Sequence, residues 1–442
     1  EPFGRTSLEA SSRGCAVIIS DKGGLKETIT DGIILEELSA NDLYKNIKSL
    51  IDNPNKLKKL QKKSFSNFYL DHNYITKKID DYRYTLFKFT KKIPKQLKII
   101  HSTNFNIRHN GRLFYNTGRR INNGLSNKNI VQTFSDRDII STERKITDID
   151  GVKSLNDKLL NLIPNFKPDI IVFGHADSIT NETIEKIKLF YPSIKMCQWF
   201  LDRMDDNEWH KNKKRFLNKI DLLDASFCTT HPLAIKILKK KKNVYFNPNP
   251  VDKKFDNLNI YKNKNYKYDL FFALSHGVHR GNLKFGKKDN REFFLNKLMK
   301  TNNEIKFNIF GMNNIQPIWA EEFKYQLNQT KMALNLSQGK PLKFYSSDRI
   351  AQLIGNGILT FIDKKTHLNR LFNDDEVIFY KDIKDLTNKI NKFKDNDKLR
   401  RQIAKKGMIK YHKHMNNFQV TSYMIDKTFN KNTKFRYFWE NK

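Results

Sequence analysis

The stretch KFYSSDRIAQLIGNGILTFID, Lys343–Asp363, decides the fold of this chain. Its pattern predicts a loop, a short helix and a buried strand. Ser346 or Ser347 is expected to cap the helix, and Gly357 to end it in the left-handed region that glycine adopts readily. An apolar stripe at helical spacing supports this interpretation: Ile350, Leu353 and Ile354.

Two polar residues, Arg349 and Gln352, share another face of the predicted helix. Near a helix start, unpaired N–H groups, the helix dipole and a guanidinium together suit a diphosphate. A plain surface helix between two strands would show the same local pattern.

The beginning of the chain repeats this stretch. Residues 1–20, EPFGRTSLEASSRGCAVIIS, place Glu9 on Gln352, and the run from Asn53 then matches the run from Asp395. The units of a solenoid recur every ~20–50 residues, whereas these two copies are separated by most of the chain, so a solenoid is excluded. We therefore expect two related domains in tandem.

The first copy resembles the donor-side motif of retaining GT-B glycosyltransferases, in which two glutamates precede a Gly-Gly turn. The resemblance implies that Glu1 lies near the donor sugar and that Glu9 binds the ribose hydroxyls. It also implies that Gly23 and Gly24 approach the sugar phosphate.

The second copy is similar to a divergent branch, the glycosyl transferases group 1, whose helix carries an arginine three residues before the second acidic position. Here Arg349 precedes Gln352 at that spacing, and Phe344 stands at the first glutamate position. The resemblance implies an α/β chain of the GT-B type, with two Rossmann-like lobes facing a cleft and a partial Rossmann-like domain before them.

The expected domain layout has five parts. Residues 1–90 form a partial donor-binding lobe of a first glycosyltransferase, without its first strands, and 91–96 form a linker. Residues 97–252 form an acceptor-side Rossmann-like lobe, 266–415 the nucleotide-sugar donor lobe, and 416–442 a helix that returns across the lobes.

Three apolar runs in the acceptor-side lobe predict parallel strands that end in polar residues: 168–176, 194–200 and 225–229. The carboxyl ends of parallel strands meet at one edge of a sheet, where α/β proteins bind ligands. His175 and Asp202 lie at two of these ends, and either is a candidate for the base that activates the acceptor. His231, before Pro232, is predicted to be a turn residue.

The donor lobe contains a glycine-rich basic loop, SHGVHRGNLKFGKKDNRE from Ser275. Glycines allow close backbone approach and cations neutralise phosphate, although the loop is neither a Walker A motif nor GxGxxG. The resemblance assigns Arg280, Lys284 and Arg291 to the donor diphosphate, and the strand end at Gly311 to the base.

Composition indicates a globular chain of 442 residues, 38% hydrophobic and 12% aromatic, with no apolar run long enough for a membrane span or signal peptide. The cysteines, Cys15, Cys197 and Cys228, lie in or beside apolar runs and lack metal-ligand spacing. We expect buried free thiols in a reducing compartment, which favours the cytoplasm and argues against structural zinc.

The net charge of +35, from 82 Lys and Arg against 47 Asp and Glu, has three interpretations. Codon bias toward lysine would produce it without any function, and an anionic membrane surface or polyanionic acceptor would use it. Nucleic acid would also use it, but no nucleic-acid-binding motif accompanies the lysines, so we expect no specific nucleic acid partner. The expected location is the cytoplasm, extending to the inner face of the membrane.

The sequence favours a metal-independent glycosyltransferase that moves a sugar from a nucleoside diphosphate sugar, its co-substrate, to a glycan or lipid-linked acceptor, as in surface polysaccharide biosynthesis. No other cofactor is expected. Phe344 and Gln352 leave open a degenerate module that binds nucleotide or glycan without catalysis. Asp148-Ile149-Asp150 leaves open a DxD metal site in a glycosyltransferase of the other fold.

Overall fold

The computed structural model describes residues 4–90, 94–105, 111–206, 209–274, 278–279, 282–283, 290–431 and 435–440. The chain divides into two compact units, Glu1–Lys91 and Lys92–Lys442. Within the described residues, no helix combines the length and the apolar character needed to cross a membrane.

The first unit contains a small parallel sheet and α-helices. In chain order its elements are α1 (Arg5–Ser12), β1 (Ile18–Ser20), β2 (Ile33–Leu35), α2 (Ala40–Ile51), α3 (Pro54–Ser66) and α4 (His72–Thr90). β1 and β2 pair in parallel, with Ile18 opposite Ile33. Polar caps begin two of the helices: Ser39 accepts from Asp42 N, and Asn53 accepts from Lys56 N.

The second unit begins with a six-stranded parallel sheet in the order β4-β3-β5-β6-β7-β8. Its strands are β3 (Lys98–Thr103), β4 (Ile130–Phe134), β5 (Ile170–Gly174), β6 (Lys195–Phe200), β7 (Ala225–Cys228) and β8 (Val244–Phe246). Its helices are α5 (Thr117–Leu125), α6 (Asp136–Glu143), α7 (Val152–Phe166), α8 (Asn181–Phe190) and α9 (His210–Ile220). Ile170, Ile171, Val172 and Phe173 are all buried, as expected of a strand covered on both faces.

A five-stranded parallel sheet follows, in the order β12-β9-β13-β14-β15. Its strands are β9 (Tyr268–Ala273), β12 (Phe307–Phe310), β13 (Thr330–Asn335), β14 (Leu359–Asp363) and β15 (Ile378–Tyr380). Two short strands, β10 (Val278–His279) and β11 (Asn282–Leu283), pair antiparallel in a separate sheet. The helices are α10 (Asn290–Lys300), α11 (Ala320–Asn328), α12 (Arg349–Gly355), α13 (Ile383–Asp395), α14 (Asp397–His414) and α15 (Asn417–Thr428). Two parallel sheets with helices around them confirm the predicted Rossmann-like lobes.

The C-terminal helix α15 packs against the first lobe. Val420 and Met424 share a buried cluster with Ile121 and Leu125 of α5. At Gly124 a Cβ would lie 2.3 Å from the Asn417 carbonyl oxygen, so glycine is required for the two helices to approach this closely. The chain therefore returns from the second lobe to cover the first.

The two sequence copies differ in what covers the same apolar stripe. Leu43 and Ile47 of α2 align with Leu386 and Ile390 of α13. Leu386 and Ile390 are 0% exposed, in the core of the five-stranded sheet, whereas Leu43 is 40% and Ile47 41% exposed. The apolar stripe is therefore covered in the second copy and exposed in the first.

The cysteine prediction is wrong in one position. Cys197 and Cys228 are buried, and burial raises the pKa of the Cys197 thiol to about 12. Cys15 is exposed, because it follows the end of α1, where the chain turns at Gly14 (φ +74°) before entering the short sheet.

Candidate active site

A cavity of about 150 Å³ lies between the two lobes of the second unit. The first lobe contributes the segment around α5, and the second contributes the end of β9 and the starts of α11 and α12. The wall combines aromatic rings, cations and amides, among them Arg112, Tyr115, Asn116, Trp319, Phe323, Lys324, Arg349 and Gln352.

Arg349 and Gln352, both predicted to bind the donor, lie in the wall of this cavity. Arg349 donates from Nη1 to Leu336 O (2.9 Å) and from Nη2 to Ala273 O (3.0 Å). Its guanidinium carbon lies 4.8 Å from the centroid of the Phe272 ring. Arg349 thus joins the carboxyl ends of β9 and β13 while placing its positive charge at the cavity.

The predicted serine cap of α12 is wrong. Asp348 occupies the cap position without a side-chain cap hydrogen bond, and the hydroxyl of Ser346 bonds with the side chain of Asn335 instead. The helix has 7 residues, and a carboxylate stands at its start. Since that charge would repel a diphosphate, Arg349 is the better candidate for phosphate contact than the helix end. Gly357 does end the helix with φ +74°, as predicted.

Gly311 lies behind the cavity wall at the end of β12. Its φ is +80°, and a Cβ would lie 1.8 Å from the Leu274 carbonyl oxygen, so no other residue fits there. Its N–H donates to Ile315 O (3.0 Å). Glycine therefore lets β12 approach Leu274, which lines the cavity, and the base contact assigned to this strand end stays a prediction.

Side chains from both lobes meet at the cavity. Tyr115 donates its hydroxyl proton to the Glu321 carboxylate, and Lys324 lies 4.8 Å from the centroid of the Tyr115 ring. Burial, followed by the bond to Glu321, raises the pKa of Tyr115 to about 12. Arg203 of the first lobe donates to Gln338 O of the second (2.6 Å). Side chains of the first lobe thus bond to the second lobe at two places.

A second charged cluster lies at the carboxyl ends of β5 and β6. Arg215, on α9, donates from Nη2 to Asp177 (2.6 Å) and from Nη1 to Asp202 (2.9 Å). Asp202 Oδ2 also lies 3.7 Å from His175 Nδ1. The structure therefore brings His175 and Asp202 together, as the sequence predicted, and adds an arginine between two carboxylates.

His175 is held in one orientation. Its Nε2 accepts a hydrogen bond from Leu201 N (2.8 Å), and its ring stacks on Phe200 with centroids 4.4 Å apart. A backbone N–H can only donate, so Nε2 supplies the lone pair and the neutral ring carries its proton on Nδ1. Burial lowers the pKa of His175, opposed by Asp202 and reinforced by Arg215. Asp202, whose side chain is 45% exposed, is the more accessible base of the two.

Two segments match glycosyltransferase family models. Residues 288–426 match the model described as glycosyl transferase-like, and residues 1–66 match glycosyl transferases group 1. Among solved structures, sucrose-phosphate synthase from Thermosynechococcus elongatus is similar at 9% identity with a TM-score of 0.50, covering 75% of this chain and 98% of that one. The fold is that of a GT-B glycosyltransferase.

A structure of HepE from Anabaena in complex with UDP and glucose is also similar, at 11% identity with a TM-score of 0.49, covering 75% of this chain and 99% of that one. Among curated proteins, none matches this sequence.

Several of the predicted donor residues lie away from the cavity or outside the described residues. Glu1, Arg280 and Lys284 lie outside the described residues. Arg291 is buried on α10 and is not part of the cavity wall.

The first copy contributes the remaining predicted residues. Glu9 is exposed on α1 and forms an ion pair with Arg5 (2.9 Å). Gly23 has φ +59°, and Gly24 precedes a short 3-10 turn, so the Gly-Gly turn forms as predicted. The roles that the resemblance assigns to these residues stay predictions.

The DxD alternative is not supported by the geometry of Asp148 and Asp150. Asp148 accepts hydrogen bonds from Ser154 N (2.7 Å) and Lys153 N (3.3 Å), and Asp150 accepts from Val152 N (3.0 Å). Both carboxylates therefore satisfy N–H groups at the start of α7, which is an ordinary capping role.

The sequence did not single out Arg215, Tyr115 or Trp319. Arg215 lies within the cationic run HKNKKR, where its neighbours are surface lysines. The feature that could have identified Arg215 is its residue type, because a planar guanidinium can bond two carboxylates at once and a lysine ammonium is less suited to this.

The prediction that His231 is a turn residue is confirmed, since its Nδ1 accepts a hydrogen bond from Leu233 N (3.2 Å).

Proposed function

We propose that this glycosyltransferase moves a sugar from a nucleoside diphosphate sugar in the cavity between the lobes to an acceptor at the edge formed by His175 and Asp202. The observation that carries the proposal is that Arg349 and Gln352 line one cavity with Tyr115 and Trp319. Aromatic rings can contact a base, while amide and guanidinium groups hydrogen-bond ribose and phosphate oxygens.

We assign the role of acceptor base to Asp202. Its carboxylate takes the proton of the acceptor hydroxyl as that oxygen bonds to the anomeric carbon and the bond to the diphosphate breaks. Arg215 donates a hydrogen bond to the carboxylate, and His175 Nδ1 lies 3.7 Å from it. The Leu201 N–H occupies the lone pair that His175 would need as a base. His175 is therefore a positioning residue.

Departure of the nucleoside diphosphate places negative charge near Arg349, whose guanidinium is fixed by two strand-end carbonyls. A preorganised cation stabilises that charge without reorganisation. We propose that the reaction needs no metal and no cofactor beyond the donor. The proposed acceptor is a glycan or a lipid-linked sugar of surface polysaccharide biosynthesis, at the inner face of the membrane.

The test measures nucleotide release over a panel of donor sugars, with and without EDTA. Asp202→Asn should lower kcat by about 10²–10⁴, the usual contribution of a general base. His175→Gln, whose amide oxygen can still accept from Leu201 N, should retain most of the turnover and leave the acid limb of the pH profile unchanged. Asp157→Asn, at an exposed carboxylate on α7, is the control and should behave as wild type.

An inactive His175→Gln variant together with an active Asp202→Asn variant would reverse the roles of the two residues. Abolition of turnover by EDTA would contradict metal independence.

A non-catalytic binding module is the second candidate function, favoured by Phe344. That residue aligns with Glu1, adopts φ +55°, and packs its ring 5.2 Å from that of His231 and 5.3 Å from Arg370. Saturable donor binding without release of nucleotide from any donor would establish the module instead.

A further inference from the structure

The segment that follows β7 turns lysines and aliphatic side chains outward. Ile235 is 0% and Leu238 1% exposed in the core, whereas Leu233 is 63% and Ile237 48% exposed. We call the exposed set the basic face: Leu233, Lys236, Ile237, Lys239, Lys240 and Lys242. Two short 3-10 turns at 232–234 and 238–240 produce this alternation.

The basic face has little compensating negative charge. Residues 231–242, HPLAIKILKKKK, contain no acidic side chain. In the part of the chain that the structure describes, Lys241 pairs with Asp221 (2.6 Å), but the four lysines of the basic face form no ion pair. The adjoining helix α9 shares the same buried cluster through Phe216 and exposes Lys211 and Lys214. Positive charge is therefore continuous over the basic face and this part of α9.

The basic face is attached to the proposed acceptor edge. His231, at the start of the segment, accepts from Leu233 N, and Asp206 accepts from Lys236 N (3.0 Å). Asp206 belongs to the loop that begins with Asp202 after β6. A surface bound by the basic face would therefore lie beside the carboxylate that activates the acceptor.

We propose that the basic face docks the first lobe onto an anionic lipid surface and so presents lipid-linked acceptors to Asp202. This inference rests on the proposed function for the acceptor class. Lysines near an anionic leaflet attract its headgroups, and exposed aliphatic side chains can enter the interface. Single-stranded nucleic acid binding uses aromatic stacking, and the basic face has no aromatic ring.

The experiment is co-sedimentation of the full chain with phosphatidylcholine vesicles, with and without phosphatidylglycerol, at low and high salt. Each lysine near the surface strengthens binding about fivefold, so Lys239→Gln with Lys240→Gln should weaken it about 25-fold. The matched control is Lys384→Gln with Lys398→Gln, which removes the same charge from exposed positions beside Asp385 and Asp397. It should bind as wild type does.

Equal losses in both double variants would overturn the proposal, because net charge alone would then explain binding. Binding to pure phosphatidylcholine that ignores salt would also overturn it. So would a basic-face variant that keeps its vesicle affinity and loses affinity for single-stranded RNA, since nucleic acid would then be the partner.

Nucleotide release from a soluble donor separates this proposal from the proposed function. The basic-face variant should keep wild-type release while losing vesicle binding, and Asp202→Asn should keep vesicle binding while losing release. If the chain binds vesicles through the basic face but releases no nucleotide, membrane docking is supported and the proposed transferase activity is refuted. If it releases nucleotide but does not bind anionic vesicles selectively, the activity is supported and docking is refuted.

Discussion

Removing one partner of the Arg120–Asp256 ion pair should strongly destabilise the second unit. Arg120 Nη2 lies 2.7 Å from Asp256 Oδ1 and Nε lies 2.9 Å from Oδ2, with both side chains only 2% exposed. The pair connects α5 to the segment between the sheets, beside the cavity. Asp256→Ala leaves a buried guanidinium without its carboxylate, which costs about 3–5 kcal/mol. The exposed pair Lys153–Asp157 is the control, because breaking it should cost less than about 1 kcal/mol.

Urea unfolding followed by tryptophan fluorescence measures this cost in the full chain. The 4 tryptophans all belong to the second unit, so the signal reports that unit alone: Trp199, Trp209, Trp319 and Trp439. Arg120→Met with Asp256→Leu should recover most of the stability, since apolar replacement of both partners removes the unpaired charge. A loss below about 1 kcal/mol for Asp256→Ala would refute the reasoning, because water would then reach the pair.

Three further outcomes follow from the sequence and the structure. Arg349→Ala should lower kcat by about 10²–10³, which is more than it raises KM. It should also lower the free energy of unfolding by about 1–3 kcal/mol, because two strand-end carbonyls lose their donor. An unchanged kcat in steady-state assays would show that Arg349 is not part of the site. Burial lowers the pKa of His101 to about 4, so the unfolded chain binds the proton first as pH falls from 6.5 and stability drops by up to ~3 kcal/mol between 6.5 and 4. The difference in urea midpoint between wild type and His101→Gln should change across that range; a constant difference contradicts the assignment. Expressed separately, residues 97–442 should melt cooperatively and residues 1–90 should bind the dye ANS without a cooperative transition.

The elements from α12 to α14 could be predicted from sequence because the first copy repeats each of them. Sliding the first copy onto the second places α1 on α12 and α2 on α13 to within one residue at each end. Leu386 and Ile390 of α13 recur as Leu43 and Ile47 of α2, and this helical spacing leaves little freedom for another structure. The bounds of these helices and strands depend on residues close in sequence, so they could be predicted without knowledge of the three-dimensional fold.

The hydrogen-bond partners could not be predicted in the same way. Asp348 precedes α12 where two serines were available, and Ser346 bonds instead with Asn335 on the neighbouring strand. Arg215 reaches Asp177 on another strand end, and Arg120 reaches Asp256 in the segment between the lobes. Each partner is chosen by the three-dimensional arrangement, and among 82 cationic residues sequence offers no way to choose it.

Arginine, rather than total positive charge, distinguishes the cleft from the surface in this strongly basic chain. At Arg120, Arg203, Arg215 and Arg349 the guanidinium bonds at least two acceptors, and each of these side chains is buried or half-buried at the junction of the lobes or at a strand end. Lysine presents a compact, strongly hydrated charge that is costly to bury, and the lysines of the basic face are exposed. Codon bias toward lysine can therefore raise the net charge without disturbing the site, because the geometry of the cleft depends on the bonding pattern of guanidinium groups, which a lysine cannot reproduce.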